Sequence, residues 1–149
     1  MADESTNQLR VRLVTPERTL FESTATAVEL PSKSGYMEVL YGHAPLVAEL
    51  GAGDVTLHGV TDSKTGGKAG GDQRYNVSWG FAEVLPDRVT ILAADALKPE
   101  EIDVARAREQ LERGHKLWSE AGDSEDAYSN ALRVIAEAEA KIGSAAEKH

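Results

Sequence analysis

The amino-acid sequence predicts a β domain over residues 1–97 followed by an antiparallel helical hairpin over residues 98–149. Two periodicities indicate this division. Apolar side chains recur at every second position through most of the first part, which is the pattern of half-buried strands. Beyond Pro99 they recur at alternating spacings of three and four, which places them along one side of a helix. The predicted fold class is therefore β + α.

The β part consists of short alternating runs separated by turn sequences. The alternating sets are Leu9, Val11 and Leu13; Thr26, Val28 and Leu30; Val55 and Leu57; Tyr75, Val77, Trp79 and Phe81; and Val89, Ile91 and Ala93. Turn sequences occupy residues 15–18, 31–35, 51–54 and 85–88. Short strands at this spacing predict a small antiparallel sandwich or barrel.

Residues 61–74 are predicted to form a long Gly-rich hairpin loop, because they contain no apolar side chain larger than Ala69. The Gly67-Lys68 pair superficially resembles a phosphate-binding loop. That motif requires a glycine five residues earlier and a Ser or Thr directly afterwards, but Asp62 and Ala69 stand there. We therefore interpret the segment as a connection.

In the second part, Pro99 can occupy the first helical position, where its missing N–H costs nothing. Gly122 is expected to end the first helix, and Asp123 or Ser124 to cap the second. The two predicted stripes are Val104, Ala107, Leu111, Gly114 and Trp118, and Tyr128, Ala131, Ile135, Ala138 and Ile142. Narrow stripes rich in Ala and Gly let helices approach closely but bury little apolar area. The hairpin is therefore either a fixed cap or a unit that docks, detaches and extends.

Composition excludes several classes of function. The chain carries 16 Lys plus Arg against 25 Asp plus Glu, a net charge of −9, so nucleic acid is not an expected partner. Cysteine is absent, which excludes thiolate metal sites and a thiol nucleophile, and the four histidines lack metal-ligand spacing. Residues 1–8 have no signal-sequence pattern, and no apolar run is long enough to cross a bilayer. We expect no catalytic residue, no metal site and no required cofactor.

Four segments resemble the epsilon subunit of the F-type ATP synthase in sequence, order and spacing. They are Leu-Val-Thr-Pro-Glu-Arg-Thr-Leu-Phe at 13–21, Gly-His-Ala-Pro-Leu at 42–46, Trp-Gly-Phe-Ala-Glu-Val at 79–84 and Val-Thr-Ile-Leu-Ala at 89–93. The resemblance extends from about Leu9 to Ile142. It implies an N-terminal ten-stranded antiparallel β-sandwich and a C-terminal two-helix hairpin.

The resemblance also implies function. In this family the sandwich binds the gamma subunit and the membrane c-ring to form the rotating central stalk. The hairpin either folds against the sandwich or extends toward the alpha and beta subunits of the catalytic head and inhibits ATP hydrolysis. The expected location is the cytoplasmic face of the bacterial plasma membrane, peripherally and through partners only.

The family's c-ring contact corresponds here to the segment around Gly35, Tyr36, Met37, Glu38, Gly42 and His43. Glu38 and Tyr41 replace a glycine and a proline of the usual pattern. Glu38 is therefore either an altered contact or an exposed charge on a tolerant turn. For His43 the simpler interpretation is a turn residue whose ring satisfies backbone groups. Trp79 is either a core residue or a partner-facing anchor.

Some family members bind a regulatory ATP through an Ile/Leu-Asp-x-x-Arg-Ala motif, which Ile102, Asp103, Arg106 and Ala107 reproduce. Arg106 offers a guanidinium fork for phosphate, and Arg113 lies two turns further along. The family's pair of arginines on the second helix is reduced here to Arg133, with Glu137 nearby. We therefore expect weak ATP binding, and the alternative is that Asp103 and Arg106 only stabilise the first helical turn. A different class of function also stays open, namely a free-standing sensor of a small ligand such as a nucleotide.

Overall fold

The computed structural model describes residues 7–60 and 71–146, and the chain divides into two compact units between Ala96 and Leu97. The strands of the first unit are β1 (Leu9–Val14), β2 (Thr19–Ala25), β3 (Ala27–Ser32), β4 (Gly35–Leu40), β5 (Leu46–Val60), β6 (Gly71–Leu85) and β7 (Arg88–Leu97). The second unit contains a 3-10 turn (Pro99–Glu101) and the helices α1 (Val104–Glu120) and α2 (Glu125–Ala146).

The strands form one mixed sheet in the order β2-β1-β7-β6-β5-β3-β4. β1 pairs in parallel with β7, while the β1–β2, β3–β4, β3–β5 and β5–β6 pairs are antiparallel. The sheet folds back on itself, because the ring of Phe21 in β2 contacts that of Tyr75 in β6, with 6.3 Å between centroids. β2 also packs against β5, although three strands separate the two in the sheet.

This folding encloses the apolar core of the first unit between two layers. Its largest fully buried side chains include Phe21, Leu9, Leu13, Leu30, Leu50, Leu57 and Ile91. The alternating sets of β1 and β7 lie in this core, as the sequence predicts.

The sheet differs from expectation in two respects, because the described residues form seven strands rather than ten, and the parallel β1–β7 pair makes the sheet mixed rather than wholly antiparallel. β5 and β6 are 15 residues long each. The predicted turn at 51–54 is wrong, since these residues continue β5 and pair with β6. Gly53 marks close packing there instead, as a Cβ on this residue would lie 2.7 Å from Cβ of Pro31. The predicted loop at 61–74 extends too far toward the C-terminus, because β6 already begins at Gly71. The rest of this loop, residues 61–70, lies outside the described residues.

In β6 the alternation of buried and exposed side chains shifts by one residue at Trp79 and Gly80, which have φ values of 59° and 131°. Tyr75 and Val77 are buried before this point, and Ala82 and Val84 are buried after it. A Cβ on Gly80 would lie 2.0 Å from the carbonyl oxygen of Leu92, so only glycine fits there. Phe81, which the simple alternation places in the core, consequently faces outward.

The second unit begins with a short turn that the sequence did not separate from α1. Pro99 opens a 3-10 turn, in which the N–H of Ile102 donates to the carbonyl of Pro99 over 3.2 Å. Asp103 is the N-cap of α1, and Ser124 caps α2 by accepting from the N–H of Ala127 over 3.2 Å. Gly122 follows the end of α1 with a φ of 58°.

The small residues of the two stripes bring α1 and α2 together as predicted. Ala107 and Gly114 on α1 and Ala131 and Ala138 on α2 are buried. A Cβ on Gly114 would lie 2.7 Å from Cγ1 of Ile135, well inside a normal carbon–carbon contact. The glycine therefore sets the distance between the helices.

Candidate partner-binding surfaces

The predicted c-ring segment spans an edge strand and the turn after it, and its six residues do not form one cluster. β4 is the last strand of the sheet, with Gly35 at its start. Gly42 and His43 follow its other end, where the N–H of Gly42 donates to the carbonyl of Pro86 over 2.7 Å. An extended strand rises about 3.4 Å per residue, so the two groups are separated by most of the strand's length.

Tyr36 and Met37 have opposite environments. Tyr36 is 64% exposed, yet its hydroxyl oxygen accepts from the N–H of Asp54 over 3.0 Å. This contact lays the phenol across β5 at Gly53, where a Cβ would lie 2.6 Å from the hydroxyl. Met37 is half-buried and packs against the core. Tyr36 is thus available to a partner, whereas Met37 supports the strand.

Glu38 faces outward directly opposite Glu29 of β3, a pairing of like charges that destabilises adjacent strands. Glu29 is in turn bound to His58, whose Nε2 lies 2.9 Å from Oε1 of Glu29. Nδ1 of the same ring lies 3.0 Å from Oδ2 of Asp72. With an acceptor at each nitrogen, the ring donates both bonds only when it is protonated. The hydrogen bond to Glu29 is the main reason that the pKa of His58 is raised, with a smaller contribution from Asp72 and an opposing one from burial.

His43 has the environment of a turn residue. Its backbone N–H donates to the carbonyl of Leu40 over 3.1 Å, and its Nδ1 lies 2.7 Å from the carbonyl oxygen of Ala44. The ring therefore satisfies a backbone group next to Pro45, which fits the structural interpretation of this residue.

Three apolar side chains on neighbouring strands are exposed on the outside of the sheet, and we call them the outer apolar patch. Val47 of β5 is 66% exposed, and Phe81 of β6 and Leu92 of β7 are each 54% exposed. In the β5–β6 ladder, Val47 pairs with Glu83 and Glu49 pairs with Phe81. Val47 and Phe81 are therefore diagonal neighbours on the same side of the sheet. Sequence alternation missed this patch because the positive φ at Trp79 and Gly80 turns Phe81 outward. Trp79 itself is half-buried.

The residues of the nucleotide motif do not share one environment. Ile102 and Ala107 are buried. Arg106 and Arg113 are exposed on α1, separated by about 10 Å along the helix axis at 1.5 Å per residue. Oδ1 of Asp103 accepts from the backbone N–H of Arg106 over 3.1 Å, so this carboxylate caps α1. Asp103 therefore stabilises the first turn of α1 through the backbone of Arg106.

The end of the hairpin carries a second exposed apolar group. The rings of Trp118 and Tyr128 lie 6.3 Å apart, and Leu132 follows Tyr128 one turn later. All three are exposed although the first two continue the predicted stripes. The stripes thus extend beyond the buried contact between the helices.

Neither a metal cluster nor a membrane span is found in the parts of the chain that the structure covers. Across residues 7–60 and 71–146 no group of three or more His, Asp or Glu side chains is arranged to hold a metal ion. Within the same ranges, neither helix combines the length and the apolar character that crossing a bilayer requires.

Comparison with known proteins gives a consistent result. Residues 8–99 match the family described as ATP synthase, delta/epsilon chain, beta-sandwich domain. The ATP synthase epsilon chain of Koribacter versatilis is 43% identical over 112 residues, which cover 74% of this chain and 71% of the relative. That of Solibacter usitatus is 38% identical over 141 residues, covering 94% and 97%.

A solved structure agrees with the fold. A chain of the Euglena gracilis mitochondrial ATP synthase, in a structure of its OSCP, F1 and c-ring, superposes with a TM-score of 0.71 at 22% identity. It covers 90% of this chain and 79% of its own length. The chain therefore belongs to the delta/epsilon chain family of ATP synthases, as one of its noncatalytic epsilon subunits.

Proposed function

We propose that the chain is a rotor subunit of the central stalk, which joins the gamma subunit to the c-ring and regulates ATP hydrolysis through its helical hairpin. The observation that carries this proposal is the similarity to an epsilon chain over 97% of that relative's length. Both units thus have counterparts in a single relative. The solved structures with the same fold include one of a Tetrahymena thermophila central stalk and c-ring, with a TM-score of 0.51 at 12% identity.

The outer apolar patch is the surface that we assign to the gamma subunit. Exposed Val47, Phe81 and Leu92 lie on three adjacent strands whose other faces are buried in the core. Aromatic and aliphatic side chains of this kind form the desolvated centre of protein interfaces. Glu49 and Glu83 stand on the same side of the strands and supply a polar rim.

We assign the c-ring contact to the turn after β4, with Gly42 and His43, and to the exposed side chains of β4. Gly42 adopts a φ of 91°, and its hydrogen bond to Pro86 fixes the turn to the β6–β7 connection. A fixed turn loses little conformational entropy when it binds a partner. Glu38 on the same strand is exposed and adds a charge to this contact.

The hairpin is the regulatory element in this proposal. Its two helices meet through small side chains, so their contact buries little apolar area for its length. Exposed Trp118, Tyr128 and Leu132 give it an apolar surface for the alpha and beta subunits of the catalytic head. The hairpin then inhibits hydrolysis when it extends into the head.

We expect ATP to bind the hairpin only weakly, with a dissociation constant in the millimolar range, about −4 kcal/mol. Asp103 is engaged in capping α1, and α2 offers Arg133 with Glu137 one turn away. As a rotor subunit, the chain lies peripherally on the cytoplasmic face of the bacterial plasma membrane, attached through its partners.

Affinity isolation from detergent-solubilised membranes tests this function. We expect the full chain to co-purify with gamma and c-ring proteins, and Phe81→Glu to lose gamma. Leu132→Glu introduces the same charge at an exposed apolar residue of the hairpin and should retain gamma. A self-sufficient monomer or homodimer without these partners would instead favour the ligand sensor, and equal retention by both variants would contradict the assignment of the patch.

A further inference from the structure

A groove lined by three arginines crosses the outside of β2, β1 and β7, next to the outer apolar patch, since Thr90 of the groove and Leu92 of the patch lie two residues apart on β7. It encloses about 510 Å³, and we call it the arginine groove. Its polar lining consists of Arg10, Arg12, Glu22, Ser23, Thr24, Arg88 and Thr90. The volume lies within the range of small-ligand sites.

Strand register brings the arginines together. Arg10 pairs with Arg88 across the parallel β1–β7 ladder, and Arg12 pairs with Thr90 two residues further along. Neighbouring strands lie about 4.8 Å apart, so Arg10 and Arg88 place like charges side by side. Buried Leu9, Val11 and Leu13 hold β1 in this register, because a shift by one residue would move the arginines into the core.

The positive charge of the groove is only partly compensated. Arg12 contacts Glu22 through Nε at 3.3 Å, and Arg88 contacts Asp87 through Nε at 3.7 Å. Both pairs are more than half exposed, where such pairs contribute little to stability. Within the residues that the structure describes, the guanidinium of Arg10 has no ion-pair partner. A ligand with negative charge would relieve the repulsion between Arg10 and Arg88.

The lining favours a phosphate over an acidic protein segment. Guanidinium forks bind phosphate oxygens in a bidentate manner, and the threonine hydroxyls add donors. The apolar members of the lining, Val11 and Val89, are buried, so the groove offers no apolar anchor of the kind that protein interfaces need.

We propose that the arginine groove binds a phosphate group, carried by inorganic phosphate, pyrophosphate or the phosphate ester of a small molecule or lipid. Arg10 and Arg88 bind the phosphate oxygens from two adjacent strands, and Thr24 and Thr90 flank them. This site lies on the β unit and is separate from the nucleotide motif on α1, and it does not depend on the role of the chain in a rotor.

Titration of the full chain with pyrophosphate and with inorganic phosphate, at constant ionic strength and followed by ¹H–¹⁵N NMR, tests the proposal. We expect saturable shifts of the Nε–H signals of Arg10, Arg12 and Arg88. Arg10→Gln removes a charge-assisted donor and should weaken pyrophosphate binding about tenfold or more. Arg108→Gln makes the same charge change on the exposed side of α1 and should leave binding unchanged.

Cosedimentation with vesicles of phosphatidylcholine alone or with phosphatidic acid distinguishes the source of the phosphate. Recovery with phosphatidic acid that Arg10→Gln abolishes assigns a lipid headgroup, and saturation by free pyrophosphate without vesicle binding assigns a soluble ligand. Absence of both kinds of binding would overturn the proposal. An equal loss of binding in Arg108→Gln would also overturn it, since binding would then follow overall charge.

Discussion

Replacement of Gly114 by alanine gives the most specific prediction about the hairpin. The added Cβ would lie 2.7 Å from Cγ1 of Ile135, 3.2 Å from Cγ1 of Val134 and 3.3 Å from the backbone nitrogen of Ile135. Normal contacts between carbon atoms lie at about 3.5–4.0 Å, so α1 and α2 must move apart. Such overpacking costs about 1–3 kcal/mol.

Helix propensity opposes this cost and requires a matched control. Alanine is favoured over glycine inside a helix by about 1 kcal/mol, which offsets part of the strain in Gly114→Ala. Gly143 of α2 provides the comparison, because a Cβ there would meet nothing within 4 Å. The difference between the two variants removes the shared propensity gain and leaves about 1–3 kcal/mol due to packing.

Urea unfolding of the full chain, followed by helical ellipticity at 222 nm, measures this difference. We expect Gly114→Ala to have a lower midpoint than Gly143→Ala, with Gly143→Ala equal to or above the unmodified chain. If Gly114→Ala were as stable as Gly143→Ala, the close helix contact would not exist in solution, and the reasoning would be refuted.

Three further predictions concern pH, the isolated β unit and ATP. Because hydrogen bonds to Glu29 and Asp72 raise the pKa of His58 above its unfolded value of about 6.5, its stabilising contribution is complete below that value and disappears as pH rises through the folded pKa. We therefore expect the free energy of unfolding, measured between pH 5 and 9, to lose the pH-dependent contribution of His58 in His58→Gln and to keep it in His115→Gln. Identical pH profiles for the two variants would contradict this role of His58. A chain ending at Leu97 should fold as a β protein and bind the gamma subunit, because its core residues lie within the first unit; an unfolded circular dichroism spectrum would exclude this. Isothermal titration with ATP should give at most millimolar binding, and micromolar binding abolished by Arg106→Ala would identify the hairpin as an ATP sensor.

Periodicity predicted the elements whose side chains alternate without interruption. The apolar residues of β1 and β7 and the small residues of the hairpin lie where the pattern places them. The sequence pattern fails in the middle of β5, where it predicts a turn that includes Gly53. Glycine there permits close packing against Pro31 and Tyr36 within a continuous strand, and sequence alone does not distinguish these two uses of glycine.

The candidate surfaces were less predictable because they depend on register between distant strands. Phe81 faces outward only because Trp79 and Gly80 adopt positive φ values. Arg10 and Arg88 are 78 residues apart in the chain and become neighbours only through the parallel β1–β7 pairing. By contrast, the cap that Asp103 provides for Arg106 is local, and a spacing of three residues indicates it directly.

The most direct test of the proposed regulatory role compares ATP hydrolysis by the assembled complex with the full chain and with a chain truncated after Leu97. Removal of the hairpin eliminates the segment that we propose extends toward the catalytic head, while the β unit keeps its own core and its outer apolar patch. We expect the truncated chain to assemble with the gamma subunit and the complex to hydrolyse ATP faster. An unchanged rate in a fully assembled complex would contradict the proposed regulation and leave the hairpin with a structural role only.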